Sequence, residues 1–190
     1  MDALIVIGGS LLNVFGTFFY VRDTLRGITK PNRMTWLMWS IAPLIGAAAA
    51  FTSGVTWAVL PVFMTGVLPF LVFLSSFVNK HSYWQLTAVD YFCGACSALA
   101  LILWAITKDP IIAIFFAILG DFAAGFPTLI KAWRFPETEN GFSFLMATLS
   151  VATSFFVATP SLSAYAFPAY LFCINALLAL GAYRKRLFQS

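Results

Sequence analysis

The sequence predicts an all-α integral membrane protein with seven transmembrane helices, and three observations support this prediction. Hydrophobic residues make up 61% of the 190-residue chain and charged residues only 9%, far below the roughly 25% of charged residues in soluble domains. Apolar segments of roughly 20 residues, the length that crosses a bilayer, follow one another along nearly the whole chain. The chain also matches itself when it is shifted by 108 residues.

Short polar segments separate the predicted helices. Residues 29–33 and 135–141 combine proline with turn-forming residues, a composition that ends helices. Short outer turns are expected at 52–54 and 159–161. No basic region precedes the first apolar segment, so we interpret it as a membrane span and not as a cleaved signal peptide. The predicted spans are residues 3–21, 34–53, 57–78, 86–107, 110–132, 142–159 and 163–183.

Basic residues give the predicted orientation. Ten of the eleven Lys and Arg residues, Lys131 among them, fall on one side of this topology, and Lys108 falls on the other. Loops rich in Lys and Arg favour the cytoplasm, so we expect an outer N-terminus and a cytoplasmic C-terminus in the plasma membrane. The net charge of +4 is therefore interpreted as an orientation signal and a contact for membrane lipid. No nucleic-acid partner is expected.

The internal repeat predicts the domain organisation. We expect a first triple-helix bundle at 1–79, a linker helix at 80–108 and a second triple-helix bundle at 109–190. Because each copy has three helices and one linker helix joins them, the two bundles are predicted to be parallel. This 3+1+3 arrangement is typical of alternating-access carriers, which hold the substrate between the copies. Whether the chain forms a homo-oligomer stays open. The matching pairs include Asn13 and Asp121, Asn32 and Asn140, Thr35 and Ser143, and Trp36 and Phe144.

The second copy contains a motif of helix end, loop and helix start. Residues 125–134 read GFPTLIKAWR, and a polar loop then leads to Gly141-Phe142-Ser143. This motif resembles the PQ-loop repeat of the SWEET-like (MtN3/saliva-type) seven-helix membrane transporters. The resemblance implies a transporter of a small polar solute, such as a sugar or an amino acid, and not an enzyme. The dipeptide here is Pro127-Thr128, and its match in the first copy is Phe19-Tyr20, so sugar specificity is not carried over.

Asp121 is the strongest candidate for a functional residue. It lies midway along the fifth predicted helix, where a carboxyl group costs roughly 2.5–3.5 kcal/mol on insertion scales. We therefore expect it to face the bundle interior, to have a partner, to bind substrate and to couple transport to protons. Proton-coupled members of the resembled family have an aspartate in this region. The alternative is a protonated acid that only hydrogen-bonds a neighbouring helix.

Two amides and a tryptophan complete the predicted substrate site. Asn13, the repeat partner of Asp121, and Asn175 can each hydrogen-bond a polar solute, or serve as interhelical contacts of about 0.6 kcal/mol. Trp39 offers an aromatic wall that suits a sugar, a ring or a cationic amine. Trp36, closer to the helix start, is predicted to pack at the membrane interface. Tyr20 is also predicted to be an interface anchor because it lies near a helix end.

Further residues suggest hinges and an alternative chemistry. Pro43 and Pro127 interrupt the backbone hydrogen bonds of their helices and are predicted hinges, although purely structural kinks are the alternative. Cys93 and Cys96 form a CxxC motif, which suggests either a membrane thiol oxidoreductase or close helix packing. A receptor or scaffold on the same fold is a further alternative. No cofactor or metal site is predicted, and Asp90 is expected to cap its helix or to pair with a loop cation.

Overall fold

The computed structural model of the protein describes residues 2–52, 60–107, 109–157 and 161–188. These residues form α-helices joined by short connections, with no strand among them, so the prediction of an all-α chain is confirmed. Four of the helices are long and apolar enough to cross a membrane. Lys108 and most of the two predicted outer turns lie outside the described residues. The four candidate spans are Leu4–Leu25, Ala88–Ile106, Ile111–Arg134 and Ala164–Leu187.

The helices follow the apolar segments, with one difference. The predicted span 142–159 is interrupted at Thr153, whose hydroxyl donates to the Ser150 carbonyl oxygen at 2.6 Å. Its backbone N–H also bonds that carbonyl at 3.2 Å, and such local bonds compete with the regular helical ladder. The helices are α1 (Asp2–Leu25), α2 (Arg33–Thr52), α3 (Leu60–Ser75), α4 (Ala88–Ile106), α5 (Pro110–Arg134), α6 (Gly141–Ala152), α7 (Ser154–Val157) and α8 (Leu162–Phe188).

Side-chain caps explain where the helices begin. Asn140 accepts the backbone N–H of Ser143 at 3.0 Å at the start of α6, and Asn32 accepts that of Thr35 at 3.3 Å at the start of α2. These two caps lie 108 residues apart in the chain. Asp90 forms a capping box with Thr87 on α4, which confirms its predicted capping role. Each cap satisfies backbone donors that a helix start otherwise leaves without a partner.

The helix neighbours fall into matching sets. In the first part of the chain, α3 packs against both α1 and α2; in the second part, α8 packs against both α5 and α6. Across the two parts, α1 packs on α6 and α2 packs on α5. The remaining long helix, α4, packs on α5 and α2. If α1, α2 and α3 are matched with α5, α6 and α8, every contact in the first set has a counterpart in the second.

Two of the hydrogen bonds that join these parts also correspond. Thr35 on α2 donates its hydroxyl to the carbonyl oxygen of Ala124 on α5 at 2.6 Å. Ser143 on α6 donates its hydroxyl to the carbonyl oxygen of Gly16 on α1 at 2.5 Å. Both the donors and the acceptors lie 108 residues apart in the chain. The seam is tight at Gly16, where an added Cβ would lie 2.7 Å from the Met146 Cβ.

The core lies at this seam and contains two aromatic residues that were predicted to lie at the membrane interface. Trp36 is 7% exposed and Tyr20 is 0% exposed, so their prediction as interface residues was wrong. Trp36 stacks on Phe144 with ring centroids 6.3 Å apart, and Tyr20 packs on Trp36 at 4.7 Å. Nearness to a helix end does not decide which face of the helix a residue occupies, and here the contacts between α1, α2 and α6 turn both rings inward.

The loops on the side of the chain where most basic residues were predicted meet at one end of the bundle, which we call the loop end. The Lys30 N–H donates to the Thr138 carbonyl oxygen at 3.0 Å, so residues 26–32 contact residues 135–140. The Asn79 side chain donates to the Leu25 carbonyl oxygen at 2.9 Å. Lys185, near the end of α8, pairs with Glu137 at 2.9 Å. The predicted inner loops and tail therefore lie together.

Candidate functional site

A cavity of about 390 Å³ lies between the helices, and we call it the central cavity. It has the size of a typical small-molecule site. Helices from both parts of the chain line it, and the four predicted substrate-binding residues are all among its lining, as is the predicted hinge Pro43. These four residues are Asn13 on α1, Trp39 on α2, Asp121 on α5 and Asn175 on α8.

Asp121 faces the interior and has a partner, as the sequence predicts. The Tyr170 hydroxyl on α8 donates to its Oδ2 at 2.7 Å. The Trp39 indole N–H donates to the backbone carbonyl oxygen of Asp121 at 3.2 Å. The sequence analysis missed Tyr170, although a tyrosine hydroxyl in the middle of an apolar helix needs a partner and is itself a signal. Side chains from α2 and α8 thus converge on Asp121 of α5.

Two indole rings form one wall of the cavity. Trp36 and Trp39 meet edge to face with centroids 5.3 Å apart. Gly125 makes room for the inner ring, since a Cβ added there would lie 2.8 Å from the Trp39 ring. The Trp36 indole N–H is buried and has no hydrogen-bond partner among the described residues. The wall therefore offers aromatic surface and one buried donor that the protein leaves unused.

The two predicted amides differ in how the protein uses them. Asn175 donates one Nδ2 hydrogen to the Leu171 carbonyl oxygen at 2.9 Å, within its own helix, so its Oδ1 and its second N–H remain for a solute. Asn13 lines the cavity with no hydrogen-bond partner among the described residues. Neither amide forms a hydrogen bond to another helix in the described part of the chain. A polar solute would satisfy the groups that remain.

A buried polar cluster lies between the cavity and the loop end. Tyr20 lines the cavity and donates its hydroxyl to Glu139 Oε2 at 2.6 Å. The other oxygen of Glu139 pairs with Lys131 Nζ at 2.5 Å, and the two side chains are 0% and 1% exposed. Lys131 also donates to the Lys30 carbonyl oxygen at 2.5 Å. We call Tyr20, Lys131 and Glu139 the loop-end cluster.

The sequence analysis missed the loop-end cluster. It counted Lys131 among the basic residues that orient the chain and contact lipid, yet only 2% of this residue is exposed. Lys131 also lies over the Trp84 ring, with Nζ 4.9 Å from the centroid. A signal was present, because Lys131 lies in the last turn of an apolar helix and Glu139 lies in the loop that returns toward it. Their pairing could not be deduced without the packing of α5 on that loop.

The remaining candidates are placed as follows. Pro127 is buried, and the neighbouring Thr128 donates its hydroxyl to Thr35 at 2.9 Å; Pro127 is not among the residues that line the central cavity. Cys93 and Cys96 are free thiols on α4. Gly94 between them packs closely on Met34, whose sulfur would lie 2.6 Å from an added Cβ. This contact favours the interpretation of the CxxC motif as a close-packing surface.

Metal-binding side chains do not converge in the described part of the chain, where no group of three His, Cys, Asp or Glu residues is placed to hold an ion. Comparison of the chain with protein-family models, with characterised proteins and with solved structures finds no match. The interpretation of the site therefore depends on the residues themselves.

Proposed function

We propose that the protein is a small secondary transporter that moves a small polar solute across the membrane by alternating access. In this proposal seven spans form two parallel triple-helix bundles, α1–α3 and α5–α8, with α4 as the linker and α6 with α7 as one interrupted span. The proposed fold is of the PQ-loop or SWEET-like type. The observation that carries the proposal is a solute-sized cavity between the two bundles, lined by Asn13, Trp39, Asp121 and Asn175.

The symmetry of the contacts supports the two-bundle arrangement. If the two bundles are interchanged, the pair α1–α6 takes the place of the pair α2–α5. The hydrogen bonds from Thr35 and Ser143 take each other's place in the same way. Trp36 and Phe144, which are repeat partners in the sequence, stack on each other. Residues that contact their own repeat partners lie near the axis that relates the copies. Rocking of one bundle against the other about such an axis is the usual basis of alternating access.

The loop-end cluster supports the alternating step. Tyr20 belongs to α1 and Lys131 belongs to α5, so Glu139 links the first helices of both proposed bundles. A carrier with this end closed must separate these groups to release solute at the loop end. Asp121 is the proposed proton-coupling group, and Pro43 and Pro127 are the proposed hinges. A closed inner end and a central carboxyl group are the two parts that a proton-coupled carrier requires.

Cysteine accessibility tests alternating access without knowledge of the solute. The reference is a variant in which Cys93, Cys96 and Cys173 are replaced by Ser, and Ser150→Cys then places one thiol at the cavity wall. In sealed vesicles we expect a membrane-impermeant maleimide to label this thiol from either side. Leu149→Cys on the same helix is the matched control, because Leu149 is 44% exposed on the outer surface. Labelling from one side alone would favour a receptor or scaffold.

Flux measurements test the transport proposal directly. Proteoliposomes that contain the cysteine-free reference should take up at least one radiolabelled probe from glucose, alanine, lysine and 2-phenylethylamine faster than protein-free liposomes. Uptake that depends on pH, and that loses this dependence in Asp121→Asn, would support proton coupling. If Asp121→Asn and Asp121→Ala leave uptake and its pH dependence unchanged, the coupling role is refuted. Activity of the cysteine-free protein would exclude the thiol-oxidoreductase alternative.

A further inference from the structure

A second cavity adjoins the central cavity. It has a volume of about 310 Å³ and lies between α2, α4 and α5, and we call it the lateral cavity. The two cavities share Trp39, Pro43, Thr65, Asp121 and Phe167. Away from these shared residues, the lateral cavity is lined mainly by apolar side chains, among them Met38, Leu101, Trp104 and Ala117. Asp121 therefore lies where the more polar of the two cavities meets the more apolar one.

The charge of both cavities comes from one residue. Among the described residues that line them, Asp121 is the only acidic side chain, and no Lys, Arg or His is present. Tyr170 contacts Asp121, and Tyr20 is the other titratable group, at the loop end. A carboxylate beside indole faces attracts a cation. An anion, or the carboxylate of an amino acid, would enter without a basic partner, which is unfavourable in a site of low dielectric constant.

We propose that the solute is an amphipathic amine with a single positive charge. This inference rests on the proposed transport function. The protonated amino group lies at Asp121, beside the Trp39 ring and the Tyr170 hydroxyl. The apolar or aromatic body of the amine fills the lateral cavity against Leu101 and Trp104. One carboxylate matches one positive charge, and the adjoining apolar space selects amines that have a hydrophobic body over small hydrophilic ones.

The shared carboxylate also couples the amine to protons. Asp121 binds the cationic amine only when it is deprotonated, so the amine and the proton compete for the same group. Amine entry on one side therefore goes with proton release from Asp121, and the carrier exchanges the two. The Tyr170 hydroxyl can stay hydrogen-bonded to Asp121 in both states, since a neutral carboxyl group still has an acceptor oxygen.

A series of probes with one skeleton and three charges tests the inference. Isothermal titration calorimetry on the purified protein would compare 2-phenylethylamine, 2-phenylethanol and 3-phenylpropanoate. We expect the amine to bind at least about tenfold more tightly than the alcohol, a difference of about 1.4 kcal/mol, and the propanoate not to bind. Asp121→Asn should abolish this preference. Glu137→Gln, which removes an exposed carboxylate of the loop end, should keep it.

A second variant tests the lateral cavity independently of Asp121. Trp104 lines the lateral cavity and is not among the residues lining the central one. Trp104→Ala should weaken the binding of 2-phenylethylamine about tenfold while it leaves the binding of ethylamine unchanged. Lowering the pH should weaken the binding of both amines to the unmodified protein, because protons occupy Asp121. These two measurements keep the proposal testable if Asp121→Asn does not fold.

The outcomes separate this inference from the transport proposal. Equal affinity for the amine and the alcohol, or binding of none of the three probes, would overturn the amine proposal. Uptake of glucose or alanine into proteoliposomes, with no preference for the amine, would also overturn it while the transport function stands. Selective amine binding without any flux would do the reverse, since it would support the amine site and contradict the transport proposal.

Discussion

Glu139 at the loop end and Asp121 between the two cavities are two acids whose surroundings differ. Glu139 has both carboxylate oxygens engaged, one by Lys131 and one by Tyr20. Asp121 accepts a hydrogen bond from the neutral Tyr170 and borders two cavities. An acid that the protein surrounds with a counter-charge and donors serves the structure. An acid that has a neutral partner and open space beside it is available to a ligand.

The largest expected loss of stability follows the removal of Lys131, the counter-charge of Glu139. Lys131→Met leaves that carboxylate buried without its cation, and removal of one partner of a buried ion pair costs about 3–5 kcal/mol. We expect this loss in the free energy of unfolding, measured by SDS titration in mixed micelles. Lys185→Met is the matched control, because its pair with Glu137 is exposed and such pairs contribute little. Equal losses in the two variants would contradict the structural role of the buried pair.

The second-largest expected effect concerns the hydrogen bond from Tyr20 to Glu139, which joins the buried ion pair to the central cavity. Tyr20→Phe removes the hydroxyl that donates to Glu139 and keeps the ring that packs on Trp36. Hydrogen bonds to charged groups contribute about 1.5–3 kcal/mol, so the loss of stability should be smaller than in Lys131→Met. In the same vesicles, the Ser150→Cys thiol should become more accessible from the loop end. Unchanged labelling would show that Tyr20 does not close the cavity.

The comparison of these acids also shows what could be predicted from the sequence. Asp121, Asn13 and Asn175 stood out because each is a polar residue in the middle of an apolar helix, and such residues face the interior. Lys131 and Tyr20 lie near helix ends, where polar residues are usual on any face, so nothing local marked them as buried. Their placement depends on how α1 and α5 pack against the loops, which are distant in the chain.

The helices were predictable for a similar reason. The lengths of apolar segments determined where α1, α2, α4 and α5 lie to within a few residues, because a membrane-spanning segment must be continuous and apolar. The interruption at Thr153 was not predictable, because no proline, glycine or charge marks it and only the structure shows Thr153 bonded to the Ser150 carbonyl oxygen. The repeat pointed to matching pairs such as Thr35 and Ser143, whose hydrogen bonds to the opposite part of the chain only the packed helices reveal.

A smaller effect tests whether the two corresponding hydrogen bonds across the seam both contribute to stability. Ser143→Ala removes one interhelical hydrogen bond, which is worth about 0.6 kcal/mol in membrane proteins. Thr35→Val should cost up to about twice that value, because Thr128 also donates to this hydroxyl. Ser10→Ala is the control, since Ser10 donates only within its own helix among the described residues. SDS titration would measure all three, and a larger loss for Ser10→Ala would contradict the role of the seam.

The smallest expected effect on stability is the sharpest test of the comparison. Asp121→Asn and Glu139→Gln make the same chemical change, from a carboxylate to an amide of equal size. At Asp121 the new amide oxygen can still accept from Tyr170, so the free energy of unfolding should change by less than about 1 kcal/mol. At Glu139 the change leaves the Lys131 charge buried without its counter-charge, and the loss should approach that of Lys131→Met. When it is expressed per folded protein, uptake should lose its pH dependence in Asp121→Asn and keep it in the folded fraction of Glu139→Gln. If Asp121→Asn is instead the more destabilising of the two, Asp121 is a structural residue, and the distinction between the two acids does not hold.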